Sequence, residues 1–513
     1  MDKKSRPPRH ALSHARALTV LGSAATLALA ATPASALDTF FVGARGQGMA
    51  GALTAAVDDT DAQYYNPAAF GFFNKRTEGG YQSENDNNNL GRKDFGLGLD
   101  VGAGARFHGR MADHMDTLSD VDLDSLSDGI DSKSEAEELL NLTSSLSGVD
   151  DPNNALLADA NGGFSTRIGH FGLGVRVYGQ VNARVTELDT QNLGFSADVT
   201  TVVNGINNNT SGDSNLDVFT SDQQSTLEQT LINQGVSSGD AQSAVLALDD
   251  AAKDAGVSSS QADETVDLLD TTLGNTGSSS SSTDQNATEV TLRGFALAEV
   301  PLSYGYALND HWSVGGNLKL MQGRVYGNQV IVFNDDSGDT IAKTDEKYNE
   351  STNVGADLGI MGRYDMFNFG LMARNLNSPT FDGFRDSDTG QKYDSITLSP
   401  QVRAGVAFIP YNTLTLEVDY DITANETVFQ DYHTQFLSGG FEWDAFRFLA
   451  LRAGAYKNMA EDDIGTVYTA GLGLNLWAVR ADVGAAMSPE TTTVDGEDIP
   501  KEFRASAEIT VDF

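Results

Sequence analysis

Phe503-Arg504-Ala505-Ser506-Ala507-Glu508-Ile509-Thr510-Val511-Asp512-Phe513 closes the chain, and its two faces are chemically distinct. Phe503, Ala505, Ala507, Ile509, Val511 and Phe513 fall on one side, and Arg504, Ser506, Glu508, Thr510 and Asp512 on the other. A strict period of two is a strand with one face against something apolar and one against something wet. About ten such residues suffice to cross a bilayer as a tilted β-strand. This predicts the last strand of a membrane β-barrel, with the terminal aromatic Phe513 as its assembly signal.

The opposite terminus agrees. Lys3, Lys4, Arg6, Arg9 and Arg16 precede an apolar stretch at 17–30 and then Ala34-Ser35-Ala36. Positive residues, a short apolar run and a small-residue A-x-A site read as an export signal, expected at 1–36 with Leu37 first in the mature chain. A membrane anchor would need about 20 apolar residues. No other segment could span as a helix, so a membrane location implies a barrel.

Composition sets further bounds. Hydrophobic residues make up 40% of the chain while glycine reaches 52, which suits a wall in which only alternate residues face lipid. With no cysteine there is no disulfide, thiolate nucleophile or Cys-ligated metal. The net charge of −39 is concentrated: 13 acidic against 2 basic residues lie between Arg110 and Gly163, and 17 against 1 between Thr186 and Glu289. These two stretches supply −27 of the total. They would repel nucleic acid, anionic lipid headgroups and anionic solutes at low salt, so nucleic acid is excluded as a partner.

Alternation recurs about fourteen times, near 94–108, 162–169, 171–186, 288–308, 311–333, 351–364, 367–377, 396–409, 413–423, 432–443, 446–458, 464–474, 477–488 and 502–513. The connections alternate long and short, as expected if both termini are periplasmic and every long loop is extracellular. The fold class is therefore all-β: a transmembrane antiparallel β-barrel of about 14 strands, 94–513, with acidic, partly helical extracellular loops at 109–161 and 187–287. A secreted soluble β-sandwich has no reason to alternate its loop lengths in this way. Within the second insertion, 221–234, 239–254 and 260–273 carry apolar residues at helical spacing behind polar caps, which predicts short amphipathic helices.

Residues 43–70 read GARGQGMAGALTAAVDDTDAQYYNPAAF. Gly46, Gly48 and Gly51 spell G-x-G-x-x-G, but no βαβ pattern surrounds them, so a dinucleotide site is not expected. The order Gly43-Ala44-Arg45, Gly48-Met49, Gly51, Asp58-Asp59 and Tyr65-Asn66-Pro67-Ala68 resembles the N-terminal signature of the FadL-like outer-membrane proteins, which include hydrophobic-compound transporters. Lys93-Asp94-Phe95-Gly96-Leu97-Gly98-Leu99, Phe171-Gly172-Leu173-Gly174-Val175 and the acidic insertions resemble the branch named for the conjugal-transfer protein TraF. It is not the thioredoxin-like TraF, which a chain without cysteine cannot be. The resemblance implies a fourteen-stranded barrel plugged by an N-terminal hatch, 37–93, that carries the Asn-Pro-Ala turn.

Weaker features have two readings. Asp120, Asp122, Asp124, Asp128 and Asp131 have EF-hand spacing, but Ser125 replaces the required glycine and Asp131 the bidentate glutamate, so a solvated loop is expected and no metal site. Inward-facing Arg176, Arg184, Arg293, Asp357, Arg374, Arg403, Glu417, Asp419, Arg480, Asp482, Arg504 and Glu508 either line a permeation path or pair across strands to fill the lumen. No Ser/His/Asp arrangement has local motif support, and neither catalysis nor a cofactor is expected.

The expected partners are outer-membrane lipid and lipopolysaccharide, the barrel-assembly machinery, and a hydrophobic ligand. The leading expectation is an outer-membrane channel for hydrophobic small molecules. The alternative is an assembly barrel of a surface secretion or conjugation system, docking through its acidic loops. A kinked hatch strand beside an opening in the wall would favour transport, and a sealed barrel docking.

Overall fold

The computed structural model describes residues 38–73, 95–121, 133–150, 154–189, 192, 199–209, 215–254, 257, 262–275, 285–331, 346–411, 413–428, 432–445, 448–476 and 478–512. The expected export signal, most of the Asp120–Asp131 loop and Phe513 lie outside them.

Fourteen antiparallel strands close into one barrel in sequence order. They are β1 Phe95–His108, β2 Ala155–Ile168, β3 Phe171–Glu187, β4 Glu289–Ala307, β5 Trp312–Ile331, β6 Tyr348–Tyr364, β7 Phe367–Arg374, β8 Gln401–Tyr411, β9 Leu414–Asp421, β10 Phe436–Ala445, β11 Leu449–Asn458, β12 Val467–Leu476, β13 Val479–Met487 and β14 Glu502–Asp512. Closure runs from Gly96 opposite Asp512 to Arg106 opposite Glu502. In β14 the even-numbered residues from Glu502 to Thr510 are buried and the odd-numbered ones exposed, the alternation read from the sequence.

The outer wall is apolar. Leu318 is 62% exposed, and Leu99, Val300, Leu358, Val418, Leu472 and Ile509 are likewise exposed on outward positions around the barrel. A continuous apolar belt on a closed barrel is a lipid-facing surface, which makes this a transmembrane barrel of the bacterial outer membrane. Near the short turns, outward aromatics form a girdle: the rings of Phe171 and Tyr304 are 4.7 Å apart, and Trp312 donates its indole N–H to the Tyr364 hydroxyl at 2.6 Å.

Strand β2 begins at Ala155, seven residues before the expected 162. Ala155-Leu156-Leu157-Ala158 is apolar on both faces, so it carries no period-two signal. Its outward Leu156 is buried in a cluster with Phe107, Ala112, Ala183 and Leu292 rather than exposed to lipid. The first insertion is shorter by the same amount.

The two acidic insertions fold together. The first supplies Met111–Asp120 and Lys133–Asp150, and the second Val199–Asn209, Ser221–Asn233, Ser238–Asp254 and Ala262–Asn275. One apolar core joins Leu139, Leu140 and Leu146 to Val203, Ile206, Leu227, Leu231, Val245, Leu248, Leu269 and Leu273. Thr220 and Gln223 form a reciprocal capping box at the start of the 221–233 helix, which satisfies two otherwise orphaned N–H groups. The Asp249 carboxylate accepts the backbone N–H groups of Asp217, Val218 and Phe219.

Candidate functional site

Residues 38–73 run down the lumen. Asp38, near the long-loop end, is paired with Arg106 at 2.5 Å, and Phe70, at the turn end, gives its carbonyl to His170 Nδ1 at 2.8 Å. Helix α1 Gly43–Gly48, helix α2 Ala62–Tyr65 and the 3-10 helix Pro67–Phe72 fold this segment, which is buried almost throughout.

Local chemistry explains the motif residues. The Asn66 side chain accepts the Ala68 N–H at 3.1 Å, starting the 3-10 helix with Pro67 at its first position, and donates to the carbonyls of Thr54 (2.9 Å) and Ile360 (3.1 Å). Tyr65 donates to the Val42 carbonyl at 2.9 Å. Gly43 (φ +73°) and Gly51 (φ +75°) occupy the left-handed region that favours glycine. A Cβ on Gly46 would overlap the Tyr65 hydroxyl. Gly48 lies against Gly471 of β12, Met49 packs over Gly440 of β10, and the Ala44 carbonyl faces Gly484 of β13. These glycines let hatch backbone and wall backbone touch.

The ion pairs around Arg45 form one closed ring. Arg45 donates from Nε and Nη2 to the two oxygens of Glu442, at 2.9 and 2.8 Å, and from Nη1 to Asp58 and to Asp59 (3.2 Å). Arg452 joins Glu442 (2.5 Å) to Asp482 (2.6 Å), and Arg480 joins Asp482 (2.7 Å) back to Asp59 (2.9 Å). Arg176 bridges Asp61 of the hatch and Asp100 of β1, both at 3.0 Å. Asp419 accepts the N–H groups of Leu53 and Thr54 and the Thr54 hydroxyl, Glu417 accepts Ala55 N–H at 2.6 Å, and Glu508 accepts Arg45 N–H at 3.3 Å. Arg45 and Arg480 hold Asp59 at about 2 against burial, which pushes the other way. Burial and the nearby Glu508 and Asp59 push Asp61 well above the usual range.

The remaining lumen residues divide. Arg403 pairs with Asp419 and Asp421, Asp357 with Lys319 at 3.0 Å, and Arg504 with Asp159 and Glu502. Arg374 stacks 3.7 Å over Tyr64 and donates to its carbonyl. Arg184 and Arg293 stand apart, higher in the lumen, beside a separate cavity. Glu442 and Arg452 escaped the sequence reading, although each alternates with apolar neighbours, Phe441 and Trp443 or Leu451 and Ala453, that mark it as inward.

Inward apolar residues were also missed. Phe295, Leu297, Met321 and Val325 lie at inward positions, where a water-filled lumen would carry polar side chains. They join one buried cluster that runs from Phe381, Ile396, Leu398 and Val428 in the long loops to Tyr178, Phe40, Tyr64 and Phe70. The run Phe295-Ala296-Leu297-Ala298, apolar on both faces, was the available signal. Beside it, a cavity of about 40 Å³ is lined by Phe40, Tyr64, Leu297, Pro301, Lys319 and Arg374, among others. The β3–β4 ladder breaks there: Leu173 pairs with Leu302 and Arg176 with Glu299, but Gly174 and Val175 have no rungs to Pro301 and Val300. Proline has no N–H to give a ladder. Among its described residues, 38–73, the hatch contains no strand, and this break has no register shift.

Among solved structures, the fold is similar to the Pseudomonas putida toluene transporter TodX (10% identity, 92% of this chain and 98% of that chain, TM-score 0.43). It is similar too to the Ralstonia pickettii toluene transporter TbuX (10%, 92% and 98%, 0.44) and a Pseudomonas aeruginosa FadL homologue (11%, 94% and 100%, 0.38). No curated protein matches the sequence. The model of the family "F plasmid transfer operon, TraF, protein" matches residues 63–421, from within the hatch through β9, and the chain belongs to that family.

Proposed function

We propose that the protein is a channel for a hydrophobic small molecule, closed at rest by its hatch. The observation that carries this reading is the apolar column, from Phe381, Ile396 and Val428 in the long loops through Phe295, Leu297 and Met321 to Phe40 and Tyr64. A lumen that merely needed filling could be packed with paired charges, as the β9–β13 side is. An apolar column gives a hydrophobe a route out of water at about 25 cal/mol per Å² of surface it buries. The space beside the hatch, about 40 Å³, holds little more than a water molecule, so passage requires the hatch to shift.

The test is uptake of a neutral aromatic hydrocarbon by cells carrying the barrel, compared with cells carrying Phe295→Asp or Leu297→Asp. A buried carboxylate in the column should reduce uptake to the level of cells without the barrel, while the heat-dependent gel shift of a folded barrel persists. Uptake at the parental rate through a folded Leu297→Asp barrel would sink the proposal.

A second reading, an assembly barrel acting through its loops, draws on the single acidic body made by the two insertions and on the name of the family. Loss of a bound partner on deleting that body, with hydrocarbon uptake unchanged, would favour it.

A further inference from the structure

Beneath the long loops, a cavity of about 400 Å³ opens between β3, β4 and β5 and the 384–394 hairpin. Three donors line its lower part. Arg184 makes no hydrogen bond or ion pair among the described residues. Arg293 gives one N–H to the Asp394 carbonyl at 3.3 Å and buries its Nε–H with no acceptor. Asn182, 3% exposed, buries its amide nitrogen with no acceptor. Asn182 lies opposite Arg293 in the ladder and Arg184 opposite Thr291, so the three donors converge from adjoining strands.

The carboxylates lie higher. Glu187 lies opposite Glu289 at the top of the same ladder, past a register shift after Val185, two residues above Thr291 on β4 and three above Arg184 on β3, or about 7 Å along β4. Glu289 takes its hydrogen bonds from Thr186, Thr291 and Gln329 on Oε1, and its other oxygen accepts none among the described residues. Lys392 and Asp394, also lining the cavity, neutralise each other. The cavity is thus bipolar, with unsatisfied donors below and carboxylates at the rim.

We propose that this cavity binds a phosphate ester that carries an ammonium group, of the phosphoethanolamine type, with the oxyanion on Arg184, Arg293 and Asn182 and the ammonium toward Glu187 and Glu289. Leaving buried arginine and amide donors unmet costs more than a hydrogen bond gains, and a tetrahedral oxyanion can meet donors from several directions at once. The segregated carboxylates disfavour a bare anion and favour a zwitterion. The site adjoins the apolar column at Val428 but takes its polar groups from outside it, and its ligand is either a free metabolite or a lipid headgroup.

The full-length protein in detergent, titrated by calorimetry, tests this. Phosphoethanolamine should bind saturably and about tenfold more tightly than inorganic phosphate, as one charge-assisted contact implies. Arg184→Gln with Arg293→Gln should abolish binding of both, while Glu289→Gln should remove only the advantage of phosphoethanolamine. A lysophosphatidylethanolamine monomer that binds more tightly than phosphoethanolamine would identify a lipid headgroup, and equal affinity a free ligand. Each variant is checked by its heat-dependent gel shift. Absence of saturable binding, or binding unchanged in the double arginine variant, overturns the site; equal affinity for phosphate and phosphoethanolamine overturns its bipolar character.

Discussion

Arg45 and Glu442 meet through two parallel hydrogen bonds, Nε to Oε2 at 2.9 Å and Nη2 to Oε1 at 2.8 Å, with both side chains buried between hatch and wall. This geometry places one hatch guanidinium against three carboxylates, the buried Asp59 and Glu442 and the partly exposed Asp58.

Arg45→Met should therefore release the hatch rather than merely weaken it. Removing one partner of a buried ion pair leaves an uncompensated charge and costs about 3–5 kcal/mol. Amide hydrogen exchange over residues 38–73 should accelerate, whereas exchange in β10 and β11 and the heat-dependent gel shift remain parental. Unchanged exchange in the hatch would show that apolar packing, not this pair, holds it.

Glycines of the barrel wall should differ sharply in tolerance between the inner face, which holds Gly315 and Gly359, and the outer face, which holds Gly439. A Cβ at Gly359 would overlap the Asn66 amide oxygen, and one at Gly315 the Pro67 carbonyl, while at Gly439 nothing lies within 4 Å. Gly359→Ala should displace the Asn-Pro-Ala turn and expose the hatch to protease, and Gly439→Ala should be silent. Equal protease resistance in the two variants would contradict the close approach.

Acid should act on the hatch through Asp59. Its folded value of about 2 lies below the ordinary 3.8, so its ionised form stabilises docking above pH 3.8 and that stabilisation is lost as pH falls through 2. The contribution is on the order of 2 kcal/mol. Asp61 is shifted upward, so its contribution has the opposite sign: protonated, it favours docking, and that favour fades as pH rises through its raised value. Hatch protection measured from pH 7 to pH 2 should fall at the acid end in the parental protein and lose that acid step in Asp59→Asn. An acid step that survives in Asp59→Asn assigns it to another group.

The two insertions should depend on each other. Leu139, Leu140, Leu142 and Leu146 of the first are buried against helices of the second. Replacing 188–287 with a short Gly/Ser linker should leave a folded barrel but make 133–150 protease-sensitive. Leu248→Ala, at a fully buried position, should destabilise the joint body by about 2–5 kcal/mol. A 133–150 helix that stays protected after the replacement would mean that the barrel alone supports it.

The barrel was legible in the sequence because lipid on one side and lumen on the other impose period two on every strand. Phe503 to Asp512 shows it without interruption, and the fourteen runs of alternation correspond to the fourteen strands. The 221–233 and 238–254 helices were legible for a similar local reason, an apolar stripe behind a cap. Alternation failed at Ala155–Ala158 and Phe295–Ala298, where both faces of a strand are apolar because a helical body covers one or the apolar column fills the other. The partners of the lumen charges were not readable either. Parity sends Glu442, Arg452 and Arg480 inward, but only the closed barrel brings them to Arg45 and Asp59, about 400 residues away in the chain. Nor could local spacing show that insertions separated by β2 and β3 share one core, since burial depends on which surfaces meet, and the barrel's closure decides that.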